Sequence, residues 1–572
     1  MKQLWLALEQ AVEKLLCGRL EVASITKDNQ PPLCPAPHWP GEHEGASLAP
    51  SFSSRRSGLF YLALCLPALP LQLAARAMPW AGPLAITEGP RERPLIAFCN
   101  HAARAAGIAP AMKLAAAQAL ARTLTVVPRN PNREHDALHE LACWAYQFSA
   151  QVTIRPPTLL RSYGGQATGT SSGLVLETGG SERLFGGRSE LHRCIRRGLG
   201  SLGYRAAFGH ATTAAAAWLI GTARASGLAA RDAQTHEQLQ PALAPLPLPM
   251  LEWDADTTHA LHALGLATIG HLLGLPRDAF ARRFGANRLD HLDRALGLRP
   301  DPQPAFSPPA RFAARIELPA DVTQTGQLMF PAHRLLRSLE GFLRGHDAGA
   351  TELMFTAHHN PRGVQAVTAT QIALALAAPE RDAGRLAKLL AERLTRVSLP
   401  EPAVELSLAV ERLAPFQALN ASLLPPSQDG VRDGLDWLQL AETLHARLGS
   451  ERVFQLQSVD DHRPEHAIRI VPLAAERAGS RVPALPSEQR PLVILPAPQP
   501  LPQQDEQPGY RGQLMLIAGP ERIEAGWWDF GDPHRPTVHR DYFVARNRRG
   551  QTLWIYRELK QPRGWYLHGF FC

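Results

Sequence analysis

Proline sets the first limit on what this chain can fold into. Each proline lacks a backbone donor and has a fixed φ, so clusters of them interrupt helices and sheet interiors alike. The 572-residue chain has 50 prolines, with clusters at 27–58, 240–249 and 480–508. One core does not extend across such breaks, and a chain this long exceeds what one core accommodates. Several bodies are predicted. From 59 to about 235, short apolar runs ("FYLALCL", "GLVLE") alternate with Ala-rich helical stretches ("HELACWAYQFSAQV", "ATTAAAAWLIGTARA"), the pattern of a mixed α/β unit. Residues 255–297 are helical in pattern throughout, with glycine turns in "LHALGLATIGHLLGLP". Residues 311–413 run strand–helix–strand–strand–helix–strand, a unit of ferredoxin-like type. A helix follows at 434–449, and 511–572 is dense in Trp, Tyr and Arg.

Composition excludes several classes. No apolar run reaches the roughly 20 residues that span a bilayer. The opening "MKQLWLALEQAVEKLL" is broken by Glu9, Glu13 and Lys14, and predicts an amphipathic helix rather than a secretion signal. The seven cysteines (17, 34, 65, 99, 143, 194 and 572) are odd in number and show no CxxC pairing. That argues against a disulfide framework or a zinc site and for a reducing cytoplasm, with no metal and no cofactor expected. The net charge of +8 is carried almost wholly by arginine, since only six of the 60 basic residues are lysine. This is compatible with phosphate-backbone binding but does not require it.

The stretch Leu59–Ile86 begins like a buried strand running into an active site, yet its first twenty residues contain no acid. Downstream motifs supply its context. In "NHAARAAGIAPAMKLAAAQAL", His101, Arg104, Gly107, Ile108 and Met112 form one group. "GLVLETGGSERLFGG" and "RAAFGHATTAAAAWLIGTAR" form two more. Together with the order of units, these motifs over about 59–412 resemble the Y-family translesion DNA polymerases. The resemblance implies an α+β multidomain architecture: palm and fingers, a helix-hairpin-helix thumb, a ferredoxin-like little finger and a partner-binding tail. It also implies that His101, where tyrosine is usual, and Arg104 are remnants of the nucleotide pocket. Phosphoryl transfer by two metals needs carboxylates to hold ions about 4 Å apart. Aligned on Gln72, the two acids of the first strand fall at Ala63 and Cys65; aligned on Glu177, the later pair falls at Ser172 and Gly173. The triphosphate-binding lysine falls at Ala214. The pattern is similar to the ImuB-type subgroup, whose "LFGG" turn and whose tail signatures match "EAGWWDF", "RDYFVARN" and "GWYLHGFF".

Further sites follow with their alternatives. In the thumb, a hairpin around Gly265 and Gly270 would offer backbone N–H groups to phosphate, or be two packed helices; Arg282, Arg283 and Arg288 would touch the backbone or solvate a face. In the little finger, Arg334, Arg337 and Arg344 on the first helix would grip duplex. A clamp-binding peptide would lie at Asn420, Ala421, Ser422, Leu423 and Leu424, weakened by its substitutions, or shift to Phe416, Gln417 and Leu419, or be plain linker. The tail tryptophans Trp527, Trp528, Trp554 and Trp565 suit a base-stacking surface, a protein interface or a small β-core. Each taken singly is best read as core, whereas the resemblance implies partner binding by the module. His462, Arg463 and Pro464 match the subgroup with no role beyond a turn.

The expected organisation is an N-terminal helix and extension (1–57), degenerate palm and fingers (58–240), thumb (250–300), little finger (308–413), clamp-motif region and helix (414–480), linker (481–510) and Trp/Arg-rich module (511–572). The expected function is a non-catalytic scaffold of damage-induced mutagenesis. It would bind primer–template DNA without sequence preference and link a sliding clamp, a RecA-like accessory protein and an error-prone DnaE-type polymerase. The alternative is an active polymerase whose metal ligands have moved to positions such as Glu177 or Glu182.

Overall fold

The computed structural model describes residues 59–76, 82–90, 92–161, 167–360, 367–410, 412–416, 431–449, 451–471, 490–504, 507–529 and 537–571. The expected N-terminal helix and the clamp-peptide positions Asn420, Ser422, Leu423 and Leu424 lie outside these residues.

The first strand, β1 (Tyr61–Cys65), is buried at all five positions, as a strand covered on both faces must be. After it come α1 (Leu69–Ala75), the fingers strands β2 (Leu84–Glu88) and β3 (Leu95–Cys99), then α2 (His101–Ala105), α3 (Leu114–Leu120) and the third fingers strand β4 (Thr125–Pro128). Returning to the palm, the chain forms α4 (Pro131–Ala145), β5 (Val152–Arg161), β6 (Ala167–Glu177), α5 (Arg188–Leu202), β7 (Ala207–Ala211) and α6 (Ala214–Ala225). The palm sheet is ordered β5-β6-β1-β7. Along β1 the side chains alternate: Leu62 and Leu64 enter the core under α4 and α5, while Ala63 and Cys65 enter the core under α6. That second core continues into the thumb helices α7 (Leu239–Leu243), α8 (Ala255–Ala263), α9 (Ile269–Leu273), α10 (Arg277–Phe284) and α11 (Ala286–Ala295).

The little finger comprises β8 (Phe312–Val322), α12 (Met329–Gly345), β9 (Ala348–His359), β10 (Ala369–Glu380), α13 (Ala383–Leu394), β11 (Ala403–Val410) and the short β12 (Leu413–Pro415). Its sheet is antiparallel, ordered β10-β9-β11-β8, so each helix joins two strands split by a third. Helix α12 is buried on two sides. One side faces its own sheet; the other faces the palm, where Trp144 of α4 sits in a slot between two glycines. A Cβ on Gly341 would fall 2.2 Å from Trp144 Cδ1, and one on Gly198 would fall 2.3 Å from its Cζ2. Ion pairs close the rim: Arg133 reaches Glu317 at 2.7 Å and Glu405, and Arg315 reaches Asp136 at 2.7 Å.

Helix α14 (Val431–Leu448) lies on the little finger. Buried Glu442 accepts the Ala377 N–H at 2.7 Å and pairs with Arg385. The hairpin β13 (Gln455–Ser458) and β14 (Ile468–Val471) follows. Then come β15 (Val493–Leu501), the small pair β16 (Gln503–Gln504) and β17 (Gln507–Pro508), and β18 (Met515–Ala525), β19 (Val538–Arg546), β20 (Thr552–Glu558) and β21 (Gly564–Phe570). The C-terminal sheet is ordered β15-β21-β20-β19-β18. The expected linker at 481–510 is therefore corrected over 493–501, which is an edge strand of this sheet. Proline is tolerated on a strand paired on one side only, because its missing N–H faces outward.

Gly341→Val should displace Trp144 from its slot. A loss of about 1–3 kcal/mol is expected in chemical denaturation, with an increased radius of gyration in solution scattering as the little finger lifts from the palm. If neither quantity changes, the slot is not tight.

Candidate functional site

The positions aligned with the missing acids are closed to solvent. Cys65 pairs with Gly173 across β1 and β6, and the Leu66 N–H bonds the Ser172 carbonyl at 2.8 Å. Ala63 stands two residues back along the strand, opposite Val175. The Cys65 thiol packs beneath α6, 3.9 Å from the Trp218 carbonyl oxygen and 3.7 Å from the Thr222 hydroxyl. Burial pushes that thiol up to about 12, so it is a neutral packing group at neutral pH. At Gly173 no side chain fits: an added Cβ would lie 1.9 Å from the Leu64 carbonyl oxygen. Fully buried Ser172 directs its hydroxyl to the Leu66 carbonyl at 3.4 Å. Ala214, at the lysine position, is equally buried.

Beside this sealed floor stand polar groups that the sequence did not single out. Trp218 Nε1 donates to Glu252 at 3.1 Å, and the Ser171 hydroxyl donates to the same carboxylate. The Arg155 guanidinium lies 5.8 Å from the Trp218 ring and donates to Gln303 at 3.0 Å. No local pattern marks these residues, because their partners are distant in sequence. Among the described residues, no three His, Cys, Asp or Glu side chains converge as a metal site. Glu177 pairs with Tyr61 at the far end of β1, and Glu182 is engaged by Arg188 at 2.6 Å.

In the fingers, Asn100 caps α2 by accepting the Ala103 N–H at 2.9 Å, and His101 and Arg104 stand exposed on that helix. Gly107 adopts φ 86°, which lets the chain turn and bury Ile108 in the fingers core. In the thumb, Gly265 adopts φ 79° with open space around it. At Gly270, however, the expected phosphate-facing amides are already used. Its N–H bonds the Ala244 carbonyl, and the Ile269 N–H bonds that of Leu246, both at 2.9 Å. Arg282 and Arg283 are exposed on α10, whereas Arg288 is bound to Asp254 and to the Phe284 carbonyl.

Of the little-finger arginines, Arg334 requires a correction. Arg334 points at the palm, with its guanidinium 4.4 Å from the Phe330 ring and 3.4 Å from the Ala75 carbonyl oxygen. Burial, and then the neighbouring Arg76, pull it down to about 10. Arg337 and Arg344 both pair with Glu340, at 2.8 and 2.6 Å. Arg334 is thus taken up by the palm contact, whereas Arg337 and Arg344 keep part of their surface open beside Glu340.

With this geometry in place, comparison with known proteins is informative. The model of the impB/mucB/samB family matches residues 71–222. Residues 71–222 are an impB/mucB/samB-family domain. Protein ImuB from two strains of Caulobacter vibrioides is 28% identical over 490 residues, covering 81% of this chain and 100% of each relative. Among solved structures, DinB from Sulfolobus solfataricus matches at 13% identity and TM-score 0.33, covering 62% of this chain and 98% of that one. An insertion ternary complex of Dbh DNA polymerase matches at 14% identity and TM-score 0.33, covering 62% and 99%. No helix among the described residues is long and apolar enough to cross a membrane.

Outside the family domain, the tail divides its tryptophans. Trp554 and Trp565 are core, 2% and 7% exposed, while Trp527 and Trp528 stand 68% and 47% exposed, edge to face at 5.5 Å. Of the four expected partner-binding residues, only that pair is at the surface. Arg463, expected only to mark a turn, is fully buried and pairs with Asp461 at 2.8 Å and with Asp529. Arg540 adds a second bond between hairpin and sheet, to Glu465 at 2.8 Å. Phe416, an alternative clamp anchor, already lies under Arg381, 3.9 Å from the guanidinium.

Two expectations follow. Gly173→Asp must displace the Leu64 carbonyl and bury a carboxylate, so a loss of at least about 4 kcal/mol is expected in thermal or chemical melts; a folded variant of wild-type stability would contradict this packing. Arg463→Ala should cost roughly 2–3 kcal/mol by stranding two aspartates. Exchange at hairpin 455–471 should quicken with it in hydrogen-exchange mass spectrometry.

Proposed function

We propose that this chain is a non-catalytic polymerase-like scaffold of damage-induced mutagenesis. It binds primer–template DNA and links a sliding clamp, a RecA-like accessory protein and an error-prone DnaE-type polymerase that performs the synthesis. One observation carries the reading: the floor of the palm at Cys65, Ser172 and Gly173 is packed shut, with no room for a side chain at Gly173. Two-metal phosphoryl transfer needs an open site with several carboxylates. Here one nearby carboxylate, Glu252, is bonded to an indole and a hydroxyl, and a second, Asp301, accepts the Ala215 N–H. The similarity to Protein ImuB over four-fifths of the chain supports the biological setting.

The alternative of relocated metal ligands finds no support in the positions of Glu177 and Glu182. Glu177 is four strand residues from Gly173, roughly 13 Å at the usual rise. Glu182 is neutralised by Arg188. For DNA contact, the exposed Arg282 and Arg283 on the thumb are the best-placed candidates of those expected from the sequence. The exposed Trp527–Trp528 pair is the best-placed anchor for a protein partner.

The test is primer extension with Mg²⁺ and then Mn²⁺, beside an anisotropy titration on the same primer–template across a salt series. Binding without extension is expected. Arg282→Ser with Arg283→Ser should weaken binding and lower the salt slope by about 2, while Arg334→Ser should leave the slope unchanged. Metal-dependent extension by the purified chain would overturn the reading, and so would an absence of DNA binding.

A further inference from the structure

We propose that residues 298–311, which lead from the thumb to the little finger, form a strap that occupies the remnant nucleotide pocket in cis, with the Asp301 carboxylate standing where a phosphate would be held. This rests on reading the palm as a degenerate polymerase site. The strap begins after Gly297, whose φ of 73° turns the chain out of α11 against His236 and Thr213. Its sequence, "RPDPQPAFSPP", places prolines at 300, 302 and 304. Proline holds such a segment extended, and in an extended chain side chains two apart share a face. Asp301 and Gln303 therefore point the same way, and both meet the palm.

Asp301 Oδ2 accepts the N–H of Ala215 at 3.0 Å, at the first turn of the twelve-residue helix α6. A helix N-terminus concentrates unpaired donors and positive potential, and favours an anion. The rest of this terminus is closed by Thr213, which accepts the Ala216 N–H at 3.3 Å and donates to the Ala295 carbonyl at 2.9 Å. Gln303 meets a second positive group, Arg155. Its carboxamide oxygen accepts from Arg155 Nη2 at 3.0 Å, and its nitrogen donates back to the Asp301 carbonyl at 3.2 Å. The Nε of Arg155 is buried without a hydrogen-bond partner, a donor that Gln303 does not use.

Beyond Gln303 the strap runs along β5, the open edge of the palm sheet. Thr153 donates its hydroxyl to the Pro304 carbonyl at 3.0 Å, and the Phe306 N–H bonds the Val152 carbonyl at 2.7 Å. The Phe306 ring then packs against both the palm core and the little-finger core, edge-on to His139 at 5.8 Å. A passive tether would leave its one acid and one amide in water. Here the acid meets the first turn of α6 and the amide meets Arg155, and the backbone is bonded to a strand edge. The chain has thus lost its acids and filled the vacated pocket with its own carboxylate.

The test uses the full-length chain and inorganic tripolyphosphate, detected by displacement of a fluorescent triphosphate analogue, together with residue-resolved hydrogen exchange at Phe306 and Ala215. Wild-type protein is expected to show both amides protected and no measurable triphosphate binding. Asp301→Ala should speed exchange at both amides and tighten triphosphate binding by at least about tenfold. If that variant does not fold, Thr153→Val keeps Asp301 and loosens only the Pro304 bond; it should move both readouts in the same direction. Free exchange of the Phe306 amide in wild type would overturn the strap. Release of the strap without gain of triphosphate binding would also overturn it, reducing Asp301 to a helix cap. Wild-type protein that keeps its Phe306 amide protected yet fails to bind primer–template DNA would count against the scaffold reading while supporting the strap.

Discussion

The contact on which the rest of the structure depends is the approach of α6 to the palm sheet. A Cβ on Gly209 would lie 2.2 Å from the Ala217 carbonyl oxygen, and one on Gly221 would lie 2.7 Å from Cys65 Sγ. Helix and sheet meet with little more than a methyl and a thiol between them. That closeness joins β1 to the thumb, since both contribute to one core. It also disfavours carboxylates here, because a charge under α6 would be desolvated. The uncharged residues at Ala63 and Cys65 and the tight packing go together, since small neutral side chains let helix and sheet approach this closely.

The second consequence concerns arginine. A net charge of +8 with almost no lysine invites a search for phosphate-binding rows. Many of these guanidiniums instead hold the molecule together. Arg133 and Arg315 clasp the little finger to the palm, Arg155 receives the thumb–finger connection, and Arg463 and Arg540 fasten a hairpin to the C-terminal sheet. The planar fork that suits phosphate also suits a buried carboxylate or carbonyl, and it is more weakly hydrated than an ammonium. Composition alone therefore overstates the basic surface.

The C-terminal region shows how far a proline-rich stretch can belong to a fold. Residues 493–501 enter the sheet as an edge, and Arg490 just before them pairs with Glu521 of β18. Hairpin, edge strand and aromatic core form one unit around Tyr542, Trp554 and His568, with Tyr542 bonded to His568 at 2.8 Å. Against that rigid background, the exposed Trp527–Trp528 pair is conspicuous for having no core to fill.

Much was legible before the fold. The buried strand at β1 and the β-α-β-β-α-β order of the little finger follow from residue type and spacing, which are local properties; the missing acids at Ala63, Cys65, Ser172 and Gly173 follow from the resemblance to the Y-family polymerases. The turn through Gly107 and Ile108 was read from that same resemblance. What the tertiary structure decided was which faces meet. Arg334 occupies a helix position that suits solvent or DNA equally well; only the docking of α12 on the palm set it against the Ala75 carbonyl. Trp527 and Trp554 are the same residue type in similar surroundings, yet one is exposed and the other buried because β20 is central in its sheet. Asp301 is one acid in a proline run until α6, nearly ninety residues earlier, presents its first turn. Periodicity determines the elements because it is written in neighbours along the chain; contacts between elements rest on residues that no local pattern connects.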